Sequence, residues 1–326
     1  MSDTPPDVCA LFRSSVYLTG PTGVGKTDIS LRLAEELDAE ILALDAMTLY
    51  RGMDIGTAKP GKAQTGRIRH HLIDLVSPQD ESSLDLYLKA ATEVLVSLAK
   101  SGKKALFVGG SPLYLKACLR GLSELPPRND LIREDLERQA AAEGVTKLYQ
   151  RLTEVDPATA SKVAGTDLRR IVRALEIHAA TGTAPSQLRG KHETPAPPTV
   201  PVVAILRDRR SLYDRIDRRV EDMFEQGLID EARSLPQPLS RSARQAVGYS
   251  EAFEVLEGRM TIEAAIERTQ LRTRHYAKHQ LTWFRRLEEV RGLNIEDQSE
   301  TLVLDRLMKH IESTRAGFEP TGDPIL

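Results

Sequence analysis

Cysteine is scarce in this chain, with two residues among 326. Cys9 and Cys118 stand far apart and form neither a zinc-binding nor a redox spacing, which argues against a disulfide-stabilised domain. No apolar run approaches the ~20 residues that cross a bilayer, and the first residues lack a basic stretch followed by an apolar one. These absences predict a reduced cytoplasmic protein, or a processed organellar one, without a membrane anchor.

Aromatic residues and net charge are also low. Aromatics make up 5% of the chain with a single tryptophan, Trp283, and the formal net charge is −2. This charge argues against a wholly basic nucleic-acid-binding protein but leaves room for a local basic face. The apolar fraction of 40% is enough for a core, and 326 residues suit two domains or one domain with a large insertion.

Short apolar runs alternate with segments of helical periodicity in much of the chain. They predict strands at residues 16–19, 41–45, 105–111 and 202–206. The segments 26–37 and 84–100 between them have helical spacing, so the alternation predicts an α/β core with a parallel sheet flanked by helices. From about residue 123 the helical pattern continues without a strand, which predicts an all-helical insertion.

The predicted division of the chain follows from these patterns. Residues 1–122 and 201–295 are expected to form the core, residues 123–200 the helical insertion, and residues 296–326 a C-terminal tail.

The segment GPTGVGKT, residues 20–27, fits the phosphate-loop pattern G-x-x-x-x-G-K-[ST] between a predicted strand and a predicted helix. The glycines let backbone N–H groups converge on phosphate oxygens, while the lysine adds a charge and the last threonine can hold Mg²⁺. The predicted diphosphate-binding residues are Gly20, Thr22, Gly23, Val24, Gly25, Lys26 and Thr27. The pattern indicates a polyphosphate ligand but not ATP hydrolysis, because the third predicted strand ends in FVGGS without a metal-binding acid.

Two polar residues follow the ends of other predicted strands. Asp45 and Ser111 should lie beside the phosphate loop, because the carboxyl ends of parallel strands face one ligand crevice. A carboxylate and a hydroxyl there can hold an amine or alcohol nucleophile, with the carboxylate accepting its proton. The alternatives are a helix cap or a group linked to Mg²⁺ for Asp45, and a helix cap for Ser111.

Basic residues gather on predicted helices. Residues 241–286 hold nine arginines and lysines against five acids, and Arg268, Arg272, His275 and His279 form one stripe that continues to Trp283. The segment DLRRIVRALE adds three further arginines. Such stripes are typical of phosphate contacts combined with base stacking, although a solvated charged face is the alternative.

At this point the motifs resemble one known family, the tRNA dimethylallyltransferases, also called tRNA isopentenyltransferases. The resemblance covers about residues 16–287 and is carried by GPTGVGKT, YRGMDIGTAKP, HHLID, VGGSPLYLKA, DLRRIVRALE, RIDRRVEDMFEQGL, AVGYSE and TRHYAKHQLTWF. It implies a P-loop-like fold in which the helical insertion clasps the tRNA anticodon stem-loop. It also implies transfer of the dimethylallyl group from dimethylallyl diphosphate to the exocyclic amine of the adenosine 3′ to the anticodon.

The resemblance also assigns roles to residues. Asp45 would be the base, Lys26 and Thr27 would bind the diphosphate together with Mg²⁺, and Ser111 and Arg244 would lie near the reacting groups. The positions implied for tRNA contact are Asp45, Ala46, Met47, Thr48, Ser111, Arg133, Arg169, Arg170, Arg173, Arg244, Gln245, Gly248, Tyr249, Arg274, Lys278, Gln280 and Trp283. The chain departs from the family at Ala46 and Thr48, where serine and glutamine are usual, and at His279, where arginine is usual. A monomer is expected.

Three other functions are compatible with parts of the sequence. An adenylate isopentenyltransferase would use the same chemistry on free AMP, but such enzymes have a shorter helical insertion. A P-loop small-molecule kinase would need a basic lid and a second acid, for which the sequence offers no clear candidates. A non-catalytic RNA-binding protein would leave Asp45, Lys26, Thr27 and Ser111 without a task.

Overall fold

A single parallel sheet organises the larger part of the chain. The computed structural model describes residues 7–121, 125–188 and 195–318. The strands within these ranges are β1 Val16–Thr19, β2 Ala39–Ala43, β3 His70–His71, β4 Lys104–Val108, β5 Val202–Leu206 and β6 Arg291–Asn294. Every neighbouring pair is parallel, in the order β3-β2-β4-β1-β5-β6. The predicted α/β fold with a parallel sheet is therefore confirmed.

Helices fill the remainder of the described residues. In the first part of the chain they are α1 Val8–Ser14, α2 Lys26–Leu37, α3 Lys62–Arg67, α4 Leu84–Ser101 and α5 Pro112–Arg120. In the middle part they are α6 Asp130–Glu143, α7 Val145–Val155, α8 Pro157–Ala160, α9 Leu168–Thr181 and α10 Pro185–Leu188. In the last part they are α11 Arg209–Glu225, α12 Leu228–Ser234, α13 Arg241–Arg244, α14 Tyr249–Leu256, α15 Ile262–Phe284 and α16 Glu300–Arg315.

Two predicted strands extend too far toward their carboxyl ends. β2 ends at Ala43 and β4 ends at Val108, so Asp45 and Ser111 lie in the loops that follow the strands. The apolar runs continue past the strand ends because the loops are themselves buried: Leu44 is fully enclosed and its N–H donates to the Val108 carbonyl over 2.8 Å. These loops bring the polar residues to the edge of the sheet.

Strand β6 and helix α16 were not predicted. In β6 only Gly292 and Leu293 are buried, which is too short an apolar signal to indicate a strand. Helix α16 lies within residues 296–326, which the sequence separates as a tail, and it buries Val303, Leu307 and Ile311 in the same core cluster as α2.

Both faces of the sheet are covered by apolar packing. Tyr17 and Phe107 point into one core cluster, while the alternate residues Leu18, Ile41 and Ile205 point into the other. This burial on both sides is the usual arrangement of parallel strands connected by crossover helices.

The chain divides into two compact units. One contains the sheet and is formed by the chain up to Leu119 and from Pro195 onward, while the other is the helical stretch between them. The helical unit has its own core, which includes Leu136 on α6, Leu152 on α7, and Ile171 and Leu175 on α9. The boundary predicted between residues 122 and 123 falls outside the described residues.

Within the same three described ranges, every helix falls short of the length or the apolar character that a membrane span requires.

Candidate active site

The phosphate loop connects β1 to α2 and is shaped by its glycines. Gly20, Gly23 and Gly25 have φ values of 140°, 82° and 101°, and Gly25 caps the amino end of α2 in the left-handed conformation. A Cβ atom on Gly20 would lie 2.5 Å from the Ile205 carbonyl oxygen of β5. The loop therefore requires glycine for both its backbone conformation and its close packing against the next strand.

Lys26 is folded against the same loop. Its Nζ donates to the carbonyls of Gly20 and Pro21, each over 2.9 Å. The pKa of Lys26 is lowered to about 7, first by burial and then by the positive charge of Arg219, while the negative charge of Asp45 opposes both effects. An anionic ligand in the loop would restore the full charge of this ammonium group.

Helix α11 supplies cations that the sequence interpretation missed. The Arg219 Nη2 donates to the Thr22 hydroxyl over 2.6 Å, and the Arg215 Nε donates to the Gly23 carbonyl over 2.9 Å. Burial lowers the pKa of Arg219, while Asp45 raises it. The signal in the sequence was the pair of arginines four residues apart in RIDRR, which places both on one face of a helix.

Asp45 lies two residues beyond the end of β2. Its Oδ1 accepts from the Met47 N–H over 2.8 Å. Burial raises the pKa of Asp45, whereas the Met47 N–H, Lys26, the backbone of Thr48 and Arg219 act in the opposite direction. This carboxylate therefore faces the two cations of the phosphate loop and has an increased affinity for a proton.

Ser111 follows β4 and belongs to the same cluster. Its side chain is buried, and its Oγ accepts from the Ala46 N–H at 3.4 Å. The Tyr276 hydroxyl of α15 lies beside Ser111 and Gln280, and desolvation of this hydroxyl raises its pKa although 39% of the residue is exposed. The predicted convergence of the phosphate loop, Asp45 and Ser111 is present in the structure.

The candidate site offers few protein ligands for a metal ion. Among the described residues there is no group of three or more histidine, cysteine, aspartate or glutamate side chains that could hold a metal ion. Thr27 is exposed at the first turn of α2, beside the phosphate loop. This fits Mg²⁺, which keeps several waters and is often bound by one or two protein groups together with substrate phosphates.

The residues implied for tRNA contact around α13 and α14 differ in their exposure. Arg244 and Gln245 are exposed, although Arg244 is paired with Glu257 at 2.8 Å. Gly248 and Tyr249 are buried, and the Tyr249 hydroxyl donates to Glu231 over 2.5 Å. The Tyr249 side chain therefore makes its contacts in the interior of the protein.

Helix α15 shows the same division. Lys278 is exposed and Trp283 is half-buried, whereas Gln280 is 1% exposed. Arg274 is paired with Asp217 of α11 at 2.7 Å. Two residues of the basic stripe are also paired within the protein, since Arg268 and Arg272 form ion pairs with the buried Glu251.

In the helical unit the implied contacts are of two kinds. Arg169 and Arg170 are exposed at the first turn of α9. Arg133 and Arg173 both pair with the fully buried Glu176 at 2.9 Å. Arg169 and Arg170 therefore have more accessible guanidinium groups than Arg133 and Arg173.

Comparison with curated proteins shows extended similarity. A tRNA dimethylallyltransferase from Rhodopirellula baltica is 41% identical over 320 residues, which covers 94% of this chain and 96% of the relative. A tRNA dimethylallyltransferase from Roseiflexus sp. is 41% identical over 301 residues, covering 88% and 97% of the two chains.

Solved structures give a similar result. The tRNA isopentenylpyrophosphate transferase from Bacillus halodurans superposes with a TM-score of 0.68 at 33% identity, covering 94% of this chain and 97% of the other. A eukaryotic dimethylallyltransferase acting on tRNA has a TM-score of 0.78 at 24% identity, covering 95% and 81%, and this likeness concerns the fold alone. The family model described as IPP transferase matches residues 48–287. The chain belongs to the IPP transferase family.

Proposed function

We propose that the protein transfers the dimethylallyl group of dimethylallyl diphosphate to the exocyclic amine of the adenosine that is 3′-adjacent to the anticodon in tRNA. The observation that carries this proposal is the position of Asp45, a carboxylate of raised pKa that faces the half-buried cations Lys26 and Arg219 at the phosphate loop. A base beside a diphosphate cradle suits transfer to a weakly acidic amine. The names of the two curated relatives support tRNA as the acceptor.

In the proposed reaction, different residues stabilise the leaving group and accept the proton. The allylic C–O bond breaks as the amine nitrogen forms the new C–N bond, and the electron pair leaves with the diphosphate. Lys26 and Arg219 would hold this leaving charge, because both are half-buried cations that contact the phosphate loop. Asp45 would accept the proton released from the amine.

Mg²⁺ is part of the proposal as a group that neutralises the diphosphate. Thr27 is the residue of this chain that would hold it, together with diphosphate oxygens and water. For the RNA, the exposed Arg169, Arg170 and Lys278 are the candidate phosphate contacts. A monomeric state and a cytoplasmic location remain predictions from the sequence.

Labelled dimethylallyl diphosphate tests the proposal directly. The purified protein is incubated with the labelled donor and with tRNA, AMP or ATP, and the label is followed in each acceptor. We expect label in tRNA alone. Label entering AMP instead would indicate an adenylate isopentenyltransferase. Consumption of ATP with phosphate transfer would indicate a small-molecule kinase, and either result would contradict the proposal.

Substitution of the proposed base is the corresponding prediction for a single residue. Asp45→Asn should lower turnover at least ~100-fold, the range expected for a positioned base, while donor binding is largely retained. Single-turnover kinetics and equilibrium binding of the donor separate the two effects. Asp80→Asn, at an exposed aspartate, is the control for the loss of one negative charge. Unchanged turnover of Asp45→Asn would show that another group accepts the proton.

A further inference from the structure

Gln280 connects two loops of the active site through one side chain. Its Oε1 accepts from the Thr22 N–H of the phosphate loop over 2.9 Å, and its Nε2 donates to the Gly110 carbonyl after β4 over 2.6 Å. The side chain is 1% exposed, so both polar ends of the carboxamide are satisfied inside the protein. The two loops belong to neighbouring strands, since β1 and β4 are paired.

The backbone around the carboxamide is shaped to receive it. A Cβ atom on Gly110 would overlap the Gln280 Nε2 atom and would lie 3.0 Å from the Gly20 carbonyl oxygen. Glycine at position 110 is therefore what allows helix α15 to approach the two loops so closely. A carboxamide also suits the site chemically, because it offers one acceptor and one donor at the two ends of a short planar group.

The contacts of Gln280 also extend to the part of the active site that contains Ser111 and Asp45. Gly110 is followed directly by Ser111, whose Oγ is in contact with the N–H of Ala46, the residue after Asp45. Tyr276, one turn earlier in α15, contacts both Ser111 and Gln280. A shift of the carboxamide would therefore move the phosphate loop relative to the segment that carries the base.

We propose that Gln280 is a positioning residue that holds the phosphate loop in register with the Ser111 and Asp45 side of the active site. This inference rests on the proposed prenyl transfer. It replaces the tRNA contact implied by resemblance with an internal role: Gln280 sets the distance between the leaving diphosphate and the attacking amine. Displacement of reacting groups by about 1 Å is enough to slow a reaction roughly 100-fold.

Two substitutions separate the hydrogen bonds from the shape of the side chain. Gln280→Met keeps a similar length but removes both hydrogen bonds at any pH. Gln280→Glu keeps the acceptor for Thr22 but directs a second acceptor at the Gly110 carbonyl. Protonation of the introduced carboxyl group restores a donor toward Gly110, so the defect of Gln280→Glu should decrease as the pH falls.

The measurement is the single-turnover rate at saturating tRNA and dimethylallyl diphosphate between pH 6 and pH 8.5. We expect both variants to be slower than the wild type by about 100-fold at pH 8 with smaller changes in the binding of either substrate alone. The ratio of the Gln280→Glu rate to the wild-type rate should rise at least about tenfold toward pH 6, whereas the ratio for Gln280→Met should stay constant. The other titratable groups in this region are Lys26, Asp45, Arg219 and Tyr276. The Gln280→Met ratio controls for their titration, because methionine adds no titratable group.

Gln226→Glu is the matched control, because it makes the same change at an exposed position at the end of α11. Rates of both Gln280 variants within about threefold of the wild type throughout this pH range would overturn the inference.

Amide hydrogen exchange gives a readout that does not depend on activity. The peptide containing Thr22 should exchange faster in Gln280→Met than in the wild type or in Gln226→Glu, and equal protection would also overturn the inference. If the wild type fails to prenylate tRNA, the proposed function is wrong, whereas the exchange result still decides whether Gln280 holds the loop.

Discussion

Lys26, Arg219 and Asp45 form a compact set of charges in which each group alters the others. Arg219 lies close enough to Lys26 to lower its pKa, and the carboxylate of Asp45 partly offsets this effect. In the free protein Lys26 therefore titrates near pH 7, far below an ordinary lysine. A bound diphosphate would raise the pKa of Lys26, because its negative charge favours the protonated amine.

Proton uptake on diphosphate binding follows from this pKa. At pH 8 Lys26 is mostly neutral in the free protein, so binding of inorganic pyrophosphate should take up close to one proton through this residue. Affinity should weaken as pH rises from 7 to 9, by up to about tenfold per pH unit, because the protonated form binds the anion better. Titration calorimetry in two buffers of different ionisation enthalpy measures the uptake.

Lys26→Arg is the control for this titration, since its guanidinium stays charged across the whole range. The variant should show a smaller proton uptake and a flatter pH dependence than the wild type. Equal uptake by the two proteins would assign the proton to another group, such as pyrophosphate itself.

The loop from Met53 to Lys59 shows how an element outside the sheet is fixed. Glu231 of α12 accepts from the N–H groups of Ile55 over 2.9 Å and of Asp54 over 3.1 Å. On the other side, the buried Lys59 Nζ donates to the Tyr50 carbonyl over 2.8 Å and is paired with Asp54 and Asp74. The motif GMDIGTAKP is therefore explained in large part by the internal contacts of a folded loop.

Removal of the Tyr249 hydroxyl tests this anchor. Tyr249→Phe leaves the Glu231 carboxylate without one of its donors in a buried position, so the free energy of unfolding should fall by about 1–3 kcal/mol. Denaturant unfolding measures the change. Tyr213→Phe, at a half-exposed tyrosine of α11, serves as the control and should fall much less. If the two variants lost the same stability, the hydrogen bond to Glu231 would have no special role.

The helical unit depends on a buried carboxylate between α6 and α9. Glu176 accepts from the Asn129 N–H over 2.6 Å and pairs with Arg133 and Arg173. These contacts fix the amino end of α6 to α9. They also hold two arginines in defined orientations at the surface of the unit.

Neutralising this carboxylate should loosen the unit. Glu176→Gln removes the charge that compensates two partly buried arginines, and breaking such a buried pair typically lowers stability by about 3–5 kcal/mol. Hydrogen exchange should increase in peptides from α6 and α9 while peptides from the sheet stay protected. Glu134→Gln, at an exposed glutamate of α6, is the matched control. Unaltered exchange in Glu176→Gln would mean that apolar packing alone holds the two helices.

At the scale of the whole molecule, the charges are more internally balanced than the sequence suggests. The predicted basic stripe of α15 is shortened because Arg268 and Arg272 are paired with Glu251. Arg169 and Arg170 remain exposed on the helical unit. A net charge of −2 is thus compatible with a few accessible cations for RNA and many that serve the fold.

The affinity for tRNA should fall as the salt concentration rises, because each neutralised phosphate releases counterions. In a plot of log affinity against log salt, Arg169→Gln should reduce the slope by about one unit. Arg170→Gln should reduce it less, because Arg170 is already paired with Asp167 at 3.7 Å. Arg233→Gln, at an exposed arginine already paired with Asp230, is the control and should leave the slope unchanged. A dissociation constant independent of salt would contradict an ionic mode of RNA binding.

Local patterns predicted much of the fold and part of the candidate site. The phosphate loop is a contiguous motif, and Asp45 and Ser111 converge because parallel strands end at one edge. Arg219 and Gln280 could not be assigned in this way, since each reaches the phosphate loop only through the packing of a helix that is remote in sequence. Periodicity indicates that α11 and α15 are helices, but it does not specify which residue faces a given loop.

The order of the strands has a consequence for synthesis of the chain. β1 lies between β4 and β5, and β5 comes after the helical unit in the sequence. While the polypeptide emerges from the ribosome, β1 remains an edge strand with unpaired backbone groups until β5 has been translated. The phosphate loop, although encoded first, acquires Arg219 and Gln280 only when the C-terminal half is present. A nascent chain that has reached the end of β4 thus carries the phosphate loop before the residues that enclose it have been made.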